Sequence, residues 1–467
     1  MSFENAAVPR SLFTEEGVMY QSAKCIFMQK LEELLPDHLQ NLQAVTGIDA
    51  MIYDGHAEIR ALSVDGLQTF EETAARFLDR LKKECKQVHI VFDKYLENSI
   101  KTGTREKRGQ LSSVAPAYHI QPKGEIPTNW SDVLLCGANK MNLADLYADY
   151  ASCHIDPSVE SIFVSGGSSN IIKEVDRNGA STICEEDHEE ADTRLVLHAK
   201  LAATKGAKRI VIKSPDTDVL MLLLHHRRKI HAREIYLCTG RIGANSDMRR
   251  YIPVHHLYRL IPRDVRAILL EVYCLTGCDT TSSFYFHGKT KAFTIMNENA
   301  AKHKHLQDLG TSPIGNSVAS VKFVAQLYGS HNCDSLNEVR EKKAASKKPI
   351  PMSRMPPTNN SFDLHVKRCN LQLLIWKKAC VAKQLVPDAL DHGYERVDGR
   401  MMPVMMTQEP AAPELLNDII CTCADMCESN CKCKLLNQPC TAACYCDGLE
   451  DHECNNPVTI VVSLENE

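Results

Sequence analysis

Five short apolar runs, DAMIY (49–53), VHIVF (88–92), ESIFV (160–164), RIVIK (209–213) and EIYLC (234–238), recur along the chain with helical patterns between them. Each is about the length of one buried strand, and continuous apolar runs of this kind suit strands covered on both faces. The intervening segments carry amphipathic periodicity. Thr69 and Glu72 form a capping box that opens a helix with Phe70, Ala74, Phe77, Leu78 and Leu81 on one side. Further helices are expected over 189–204 and near 263–275. Strands alternating with helices predict an α/β fold with a mostly parallel central sheet between two helical layers.

Acids stand where these runs stop. Asp54 follows the first strand, Asp93 the second, and Asp216 and Asp218 follow RIVIKSP. Glu190 and Asp192 open the helix at 189–204, and Asp279 lies in LTGCDTTSS after the helix ending near Leu275. A single acid after a strand is most often a turn residue or a helix cap. Seven at equivalent ends are a different matter, because ligands of α/β sheets bind beyond the carboxyl ends of the strands. Carboxylates brought together there resist ionisation unless a cation joins them. A donor set of hard oxygens, without histidine or cysteine, suits magnesium or manganese.

Twenty cysteines are present, nine of them between Cys421 and Cys454. The scattered ones read as buried small hydrophobes. The cluster comprises Cys421, Cys423, Cys427, Cys431, Cys433, Cys440, Cys444, Cys446 and Cys454. Its segment has little apolar content, so zinc is expected to supply its folding energy. About three tetrahedral zinc ions can be held by nine thiolates if three sulfurs bridge.

The remaining chain sets limits. Its 467 residues allow two or three domains, and a formal net charge of −5 excludes a globally basic nucleic-acid binder, leaving local basic patches. Signal-peptide layout and long apolar runs are absent from the sequence, and VLMLLL (219–224) has only strand length. An intracellular, nuclear protein without membrane association is expected. Residues 1–46 read as an N-terminal helical segment without recognisable chemistry, 47–335 as the α/β domain, and 336–415 as a linker with a short helical extension. The zinc module occupies 416–456 and a tail 457–467. Gly166-Gly167 reads as a strand-to-helix turn, and His225-His226-Arg227-Arg228-Lys229 as an exposed basic face.

The order of these motifs resembles the PIN-like, flap-endonuclease type of nuclease over about 54–293. VFDKYLENSIKTGTREKR is similar to that family's segment after its second aspartate, with Lys101 and Arg108 reproducing the lysine–arginine interval. EEADTRLVLHA, SPDTDVLML and LTGCDTT resemble its acid-x-acid helix start, its D-x-D strand end and its last aspartate. The resemblance implies a two-metal nuclease acting on DNA, structured or single-stranded, with RNA the less favoured substrate. One magnesium or manganese ion would be held by Asp54, Asp93, Glu190 and Asp192, a second by Asp192, Asp216, Asp218 and Asp279. Lys101 and Arg108 would steer the scissile phosphate. The family's glycine pair after the last aspartate is missing from FYFHGKTKAF, which retains Gly288 and Lys291.

The cysteine spacing is similar to the tesmin/TSO1-type CXC module, with Asn430 where that family has tyrosine. The whole chain resembles a group of animal proteins related to mobile elements. A second reading follows from that: a catalytically inactive PIN-like protein that binds nucleic acid or chromatin.

Overall fold

In the computed structural model the described residues are 2–81, 85–96, 99–101, 116–154, 158–240, 247–312, 317–346, 350–415, 421–423, 427–438, 440, 444–447 and 456. The chain divides into two compact units. The larger comprises Met19–Asp334 and Asp363–Val404, the smaller Met1–Val18, Ser335–Phe362 and Met405–Glu467. No helix among the described residues is long and apolar enough to cross a membrane.

The larger unit is built on an eight-stranded sheet of order β5-β4-β3-β2-β1-β6-β7-β8. Its strands are β1 (Ala50–Asp54), β2 (Gln87–Val91), β3 (Ser161–Ser165), β4 (Ile171–Asp176), β5 (Gly179–Glu185), β6 (Arg209–Lys213), β7 (Glu234–Thr239) and β8 (Arg250–Pro253). The five runs read from the sequence become β1, β2, β3, β6 and β7. These form the parallel centre, and β4, β5 and β8 extend it antiparallel at the edges. The fold is therefore α/β with a large, mostly parallel sheet.

The helices of this unit that matter for the site are α1 (Lys24–Glu32), α2 (Gly55–Arg60), α3 (Phe70–Leu81), α4 (Gly137–Cys153), α5 (Ala191–Thr204), α6 (Thr217–His226) and α7 (Arg263–Leu275). Strand side chains alternate between the two faces. Met51, Tyr53, Val88, Ile90, Ile162 and Val164 join the apolar sides of α3 and α4 in one core. The alternate residues face the other way, where α5 packs on β1, β2 and β6. The capping box is formed reciprocally: Thr69 N–H donates to the Glu72 carboxylate and Glu72 N–H to Thr69 Oγ1, both at 3.3 Å.

Several expectations are corrected. VLMLLL lies in helix α6, not in a strand, because Asp216 caps the backbone there (Asp218 N–H to Asp216 Oδ1, 2.9 Å) and burial on all sides removes any amphipathic signature. Gly166 and Gly167 turn β3 into the antiparallel strand β4, not into a helix. Gly166 has φ +101°, and a Cβ there would fall 2.2 Å from the Phe92 carbonyl oxygen. The basic run after α6 is not uniformly exposed. His226 is fully buried and its Nε2 bonds the Trp376 carbonyl at 2.8 Å. Of the scattered cysteines, Cys25 and Cys153 are exposed, whereas Cys85, Cys238, Cys274, Cys278, Cys333, Cys369 and Cys380 are buried as expected. The stretch from 386 to 404 carries a hairpin, β9 (Tyr394–Val397) with β10 (Arg400–Pro403).

In the smaller unit a helix, Leu336–Ala344, takes up the start of the basic stretch expected as a linker. Its Arg340 is buried, with Nη1 donating to Pro356 O at 2.6 Å and standing 3.4 Å from Glu4 Oε2. Glu4 also accepts from Thr358 N–H at 2.8 Å. A charge neutralised by a partner more than 300 residues away leaves no local trace in a sequence.

Candidate functional site

Parallel register brings the strand ends to one edge of the sheet. Asp54 pairs level with Val91, and Val91 with Ser165, so Asp93 emerges two residues beyond its neighbour strand's end. Tyr53 is level with Lys213, which puts Asp216 and Asp218 past the same edge. Asp54 Oδ1 accepts from Ala57 N–H at 2.9 Å and so caps α2. Glu190 occupies the N-cap position of α5 without a side-chain capping bond; Asp93 does that work from the segment after β2, its Oδ1 accepting from Ala191 N–H at 2.7 Å. Three of the acids thus have the ordinary role of helix caps. They also share one pocket.

At its centre, oxygens of Asp192, Asp216 and Asp218 all lie within 4.8 Å of one another. Glu190 joins Asp192 through Lys101, whose Nζ stands 3.2 Å from Glu190 Oε1 and 4.0 Å from Asp192 Oδ2. Asp218 joins Asp279 through Lys24, whose Nζ is 2.7 Å from Asp218 Oδ2 and 2.6 Å from Asp279 Oδ1. The structure thereby brings all seven acids, and Lys101, to one site. Arg108 lies outside the described residues.

Crowding of like charge away from water is visible in the ionisation of these groups. Burial, reinforced by the neighbouring Asp93, pushes the Asp54 carboxyl up to about 7. Asp192 is held well above the usual carboxylate range by burial and by Asp216, and Asp216 is raised by burial and Asp218. Glu190 is raised because its burial outweighs the attraction of Lys101. For the two lysines, burial alone would favour the neutral amine. The carboxylates win instead, Asp218 and Asp216 holding Lys24 and Glu190 and Asp192 holding Lys101 well above the ordinary lysine range. Among the described residues, Lys24 and Lys101 are the lysines that ion-pair with these carboxylates, and a cation shared by Asp192, Asp216 and Asp218 would relieve the repulsion that raises Asp192 and Asp216.

The donor chemistry fits a hard divalent cation at Asp192, Asp216 and Asp218: three carboxylates close enough to share one ion, with no soft ligand among them. The fit is poorer on the Asp279 side. Asp218 Oδ2 receives the Lys24 ammonium, and its Oδ1 accepts from Tyr273 O–H at 2.5 Å.

Sequence reasoning missed Lys24, Tyr273 and His56. Residues 1–46, read as carrying no chemistry, deliver Lys24 from the first turn of α1. No motif flags it, since its partners lie 194 and 255 positions away. Tyr273 sits inside α7, where an aromatic reads as core. His56 is buried, its Nδ1 accepting from Asp93 N–H at 3.1 Å and its Nε2 facing the Lys140 carbonyl at 3.4 Å. Burial lowers its pKa to about 4, so it is a neutral brace for Asp93 and not an ion-pair partner. The loop carrying Asp279 has a geometric signal in Gly277, with φ +106° and no room for a Cβ, which would lie 2.7 Å from Ser283 N.

The second candidate centre is the cysteine cluster of the smaller unit. Cys421, Cys427, Cys431 and Cys440 form one four-sulfur group, and Cys421, Cys433, Cys440 and Cys444 another, so Cys421 and Cys440 belong to both. Neighbouring sulfurs lie 3.6–3.9 Å apart. Tetrahedral zinc with bonds of about 2.3 Å would separate its sulfurs by about 3.8 Å. Cys423 and Cys446 complete the described members, Cys446 standing 3.6 Å from Cys421. Cys454 lies outside the described residues. No disulfide joins the described cysteines, and the hydrophobic residues of the buried cluster are, among the described residues, all cysteines. With no other apolar side chain in that cluster among the described residues, bound metal suits it.

No family model matches this chain, and no curated protein matches it either.

Proposed function

We propose that the larger unit is a PIN-like nuclease domain of the flap-endonuclease type, which hydrolyses phosphodiester bonds of DNA at the acidic pocket. The observation that carries this reading is the convergence of Asp54, Asp93, Glu190, Asp192, Asp216, Asp218 and Asp279 at one edge of a parallel sheet, with a buried lysine against Glu190 and Asp192. Asp192, Asp216 and Asp218 would hold magnesium or manganese. When bound, that ion supplies Lewis acidity to the phosphate and lowers the pKa of water.

The chain's own residues do the rest. Lys101 sets a fixed positive charge beside the ion's carboxylates, where a phosphate's developing charge can be met. Asp93 and His56 hold the β2 end and the start of α5 together, so Glu190 and Asp192 are fixed before substrate arrives. The loop after Asp279 exposes aromatic surface: Phe286 is 71% exposed with φ +65°, and Tyr285 lies 5.2 Å from the Tyr20 ring. A bulky residue held in that backbone region is uncommon and recurs at ligand-contact sites. Exposed aromatic rings can stack on unpaired bases whatever their sequence. This favours single-stranded or flapped DNA over an uninterrupted duplex. The cysteine cluster is proposed as a CXC-type zinc module that assists nucleic-acid contact.

Incubation of the full chain with end-labelled flap, single-stranded and duplex DNA, with magnesium and with EDTA, tests this function. Magnesium-dependent cleavage that favours unpaired DNA is the expected result. DNA that stays intact under every condition while binding tightly would place the protein among binding modules.

A further inference from the structure

Helices α6 and α7 pack together, and each has one end at the acidic pocket. Asp218 stands in the first turn of α6, and Tyr273, near the end of α7, bonds it at 2.5 Å. The two helices are therefore antiparallel, and their other ends lie about 12–15 Å away at about 1.5 Å per residue. There they frame a cavity of about 600 Å³. Its walls are Leu224, His225 and Arg228 from α6 and the turn after it, Tyr258 from the helix Val254–Leu260, and Arg263, Arg266 and Ala267 from α7. No acid lines it among the described residues.

A cation at the C-terminal end of a helix is ordinary, because the helix dipole favours it there. Arg228 alone would carry no argument. The cavity, however, gathers arginines from two separate segments and gives them no carboxylate partner. Among the described residues no carboxylate comes within 4.0 Å of the Arg228, Arg263 or Arg266 guanidinium, although Asp264 adjoins Arg263 in the sequence. Glu271, one turn beyond Ala267, is paired with Lys377 at 2.6 Å. Arg266 is held in place, its guanidinium 4.1 Å over the centre of the Tyr258 ring and its Nη1 donating to the Tyr258 carbonyl. Arg227 donates to the carbonyls of Ile230 and Ala232 at 3.0 and 2.9 Å, which fixes the turn that presents Arg228. Arg228, Lys229, Arg259 and Arg263 are all exposed. The positive field they make is felt by their neighbours. Burial and the nearby Arg259 hold Arg227 below the usual arginine range, and burial, His226, Lys377 and Lys229 push His225 down to about 3.

We infer that this cavity is a second, anion-binding site, which holds backbone phosphates of a nucleic-acid strand that also reaches the acidic pocket. The inference rests on the nucleic-acid reading of the larger unit but not on hydrolysis. Guanidinium groups suit phosphate because their forked donors meet two of its oxygens at once. A lone phosphate ion calls for converging donors. Here the charge is spread over exposed groups of two segments, which suits successive phosphates of one strand. The distance to the acidic pocket matches about four phosphates at a rise of about 3.4 Å. The chain has a formal net charge of −5, and its acidic pocket repels a polyanion, so a basic seat at the far end of the same two helices supplies the attraction the pocket lacks.

Fluorescence anisotropy of the full, zinc-loaded chain with a labelled flapped duplex, without added magnesium and over a range of salt, tests this. Arg228→Gln with Arg263→Gln is expected to weaken binding about tenfold or more at about 0.1 M salt. The slope of log Kd against log salt should fall by about 1.4–1.8, at about 0.7–0.9 for each lost phosphate contact. With magnesium, kcat at saturating DNA should be unchanged while KM rises. Thermal melting checks that the variant folds. Equal affinity and slope in variant and wild type overturn the inference and leave the hydrolytic reading standing. Equal weakening by Lys123→Gln with Lys302→Gln also overturns it, since those exposed lysines line no part of the cavity. Inorganic phosphate that displaces the DNA as well as unlabelled strand does, at matched phosphate concentration, overturns it in favour of a single-anion pocket. The expected loss of affinity in a protein that never cuts any DNA supports the inference while refuting hydrolysis, and a wild type that binds no DNA overturns both.

Discussion

Lys101 and Glu190 form a buried ion pair, Nζ to Oε1 at 3.2 Å, in which each is 15% exposed or less. The pair links a segment following β2 to the N-cap of α5, and its lysine stands 4.0 Å from Asp192, one of the acids that would hold the metal. Removing the ammonium should cost transition-state stabilisation more than substrate affinity. Lys101→Met is expected to lower kcat by about 10²–10³-fold, the usual cost of losing one positioned charge or donor. Steady-state kinetics on a flapped substrate measures it, and an unchanged kcat would remove Lys101 from the site.

A buried histidine pair on the other face of the sheet makes the fold sensitive to acid. His89 Nδ1 and His198 Nδ1 are 3.0 Å apart, and His198 Nε2 is 2.8 Å from Ser165 Oγ. Gln87 fixes the protons: its Nε2 donates to Lys205 O, which leaves Oε1 to accept from His89 Nε2 at 3.4 Å. His89 Nδ1 must then accept, His198 Nδ1–H donates, and the Ser165 hydroxyl donates to His198 Nε2. A further proton on His89 Nδ1 would point at the His198 Nδ1–H, and burial lowers His198 to about 3 and His89 well below the usual histidine range. The unfolded chain, with histidine near 6.5, binds more protons below that pH. The stabilisation is complete above about 6.5 and is lost as pH falls toward the folded value, by about 1.4 kcal/mol per pH unit for each ring. Urea unfolding between pH 7.5 and 5.0 should show this slope, and it should be about one proton shallower in His198→Asn. Equal slopes would mean that the pair does not control acid stability.

Much of this architecture is legible in the residues. The five central strands are recognisable because short apolar runs of about five residues between helical patterns admit few other structures, and the acids are recognisable because they stand after those runs or beside helix ends. What escapes the sequence is of two kinds. Edge strands β4, β5 and β8 are half-exposed and mixed in composition, so their pairing depends on neighbours more than on pattern. Helix α6, apolar on every side, gives no periodicity. In the site, the carboxylates were visible but their partners were not. Lys24, Tyr273 and His56 act through contacts between distant segments, and nothing near them in the chain marks the role.

The cysteine cluster predicts an unequal loss of zinc. Cys421 and Cys440 belong to both four-sulfur groups, whereas Cys427 and Cys444 each belong to one. Cys421→Ser should therefore release more zinc per chain than Cys444→Ser, and a chain ending near Glu414 should carry almost none. Metal analysis of the purified proteins decides this. Equal losses from Cys421→Ser and Cys444→Ser would mean that the shared sulfurs do not bridge.

If the carboxylates at the sheet edge perform metal-dependent hydrolysis, the double substitution Asp216→Asn with Asp218→Asn abolishes it. Both changes keep side-chain size and remove charge from a site where burial and mutual repulsion already oppose ionisation, so the pocket should still fold. Cleavage and binding of labelled flapped DNA are measured side by side for wild type and double variant, in magnesium and in manganese. Cleavage by the wild type alone is expected, with DNA binding by both proteins that weakens as salt rises. Equal cleavage by the two proteins, or none by either, would contradict it.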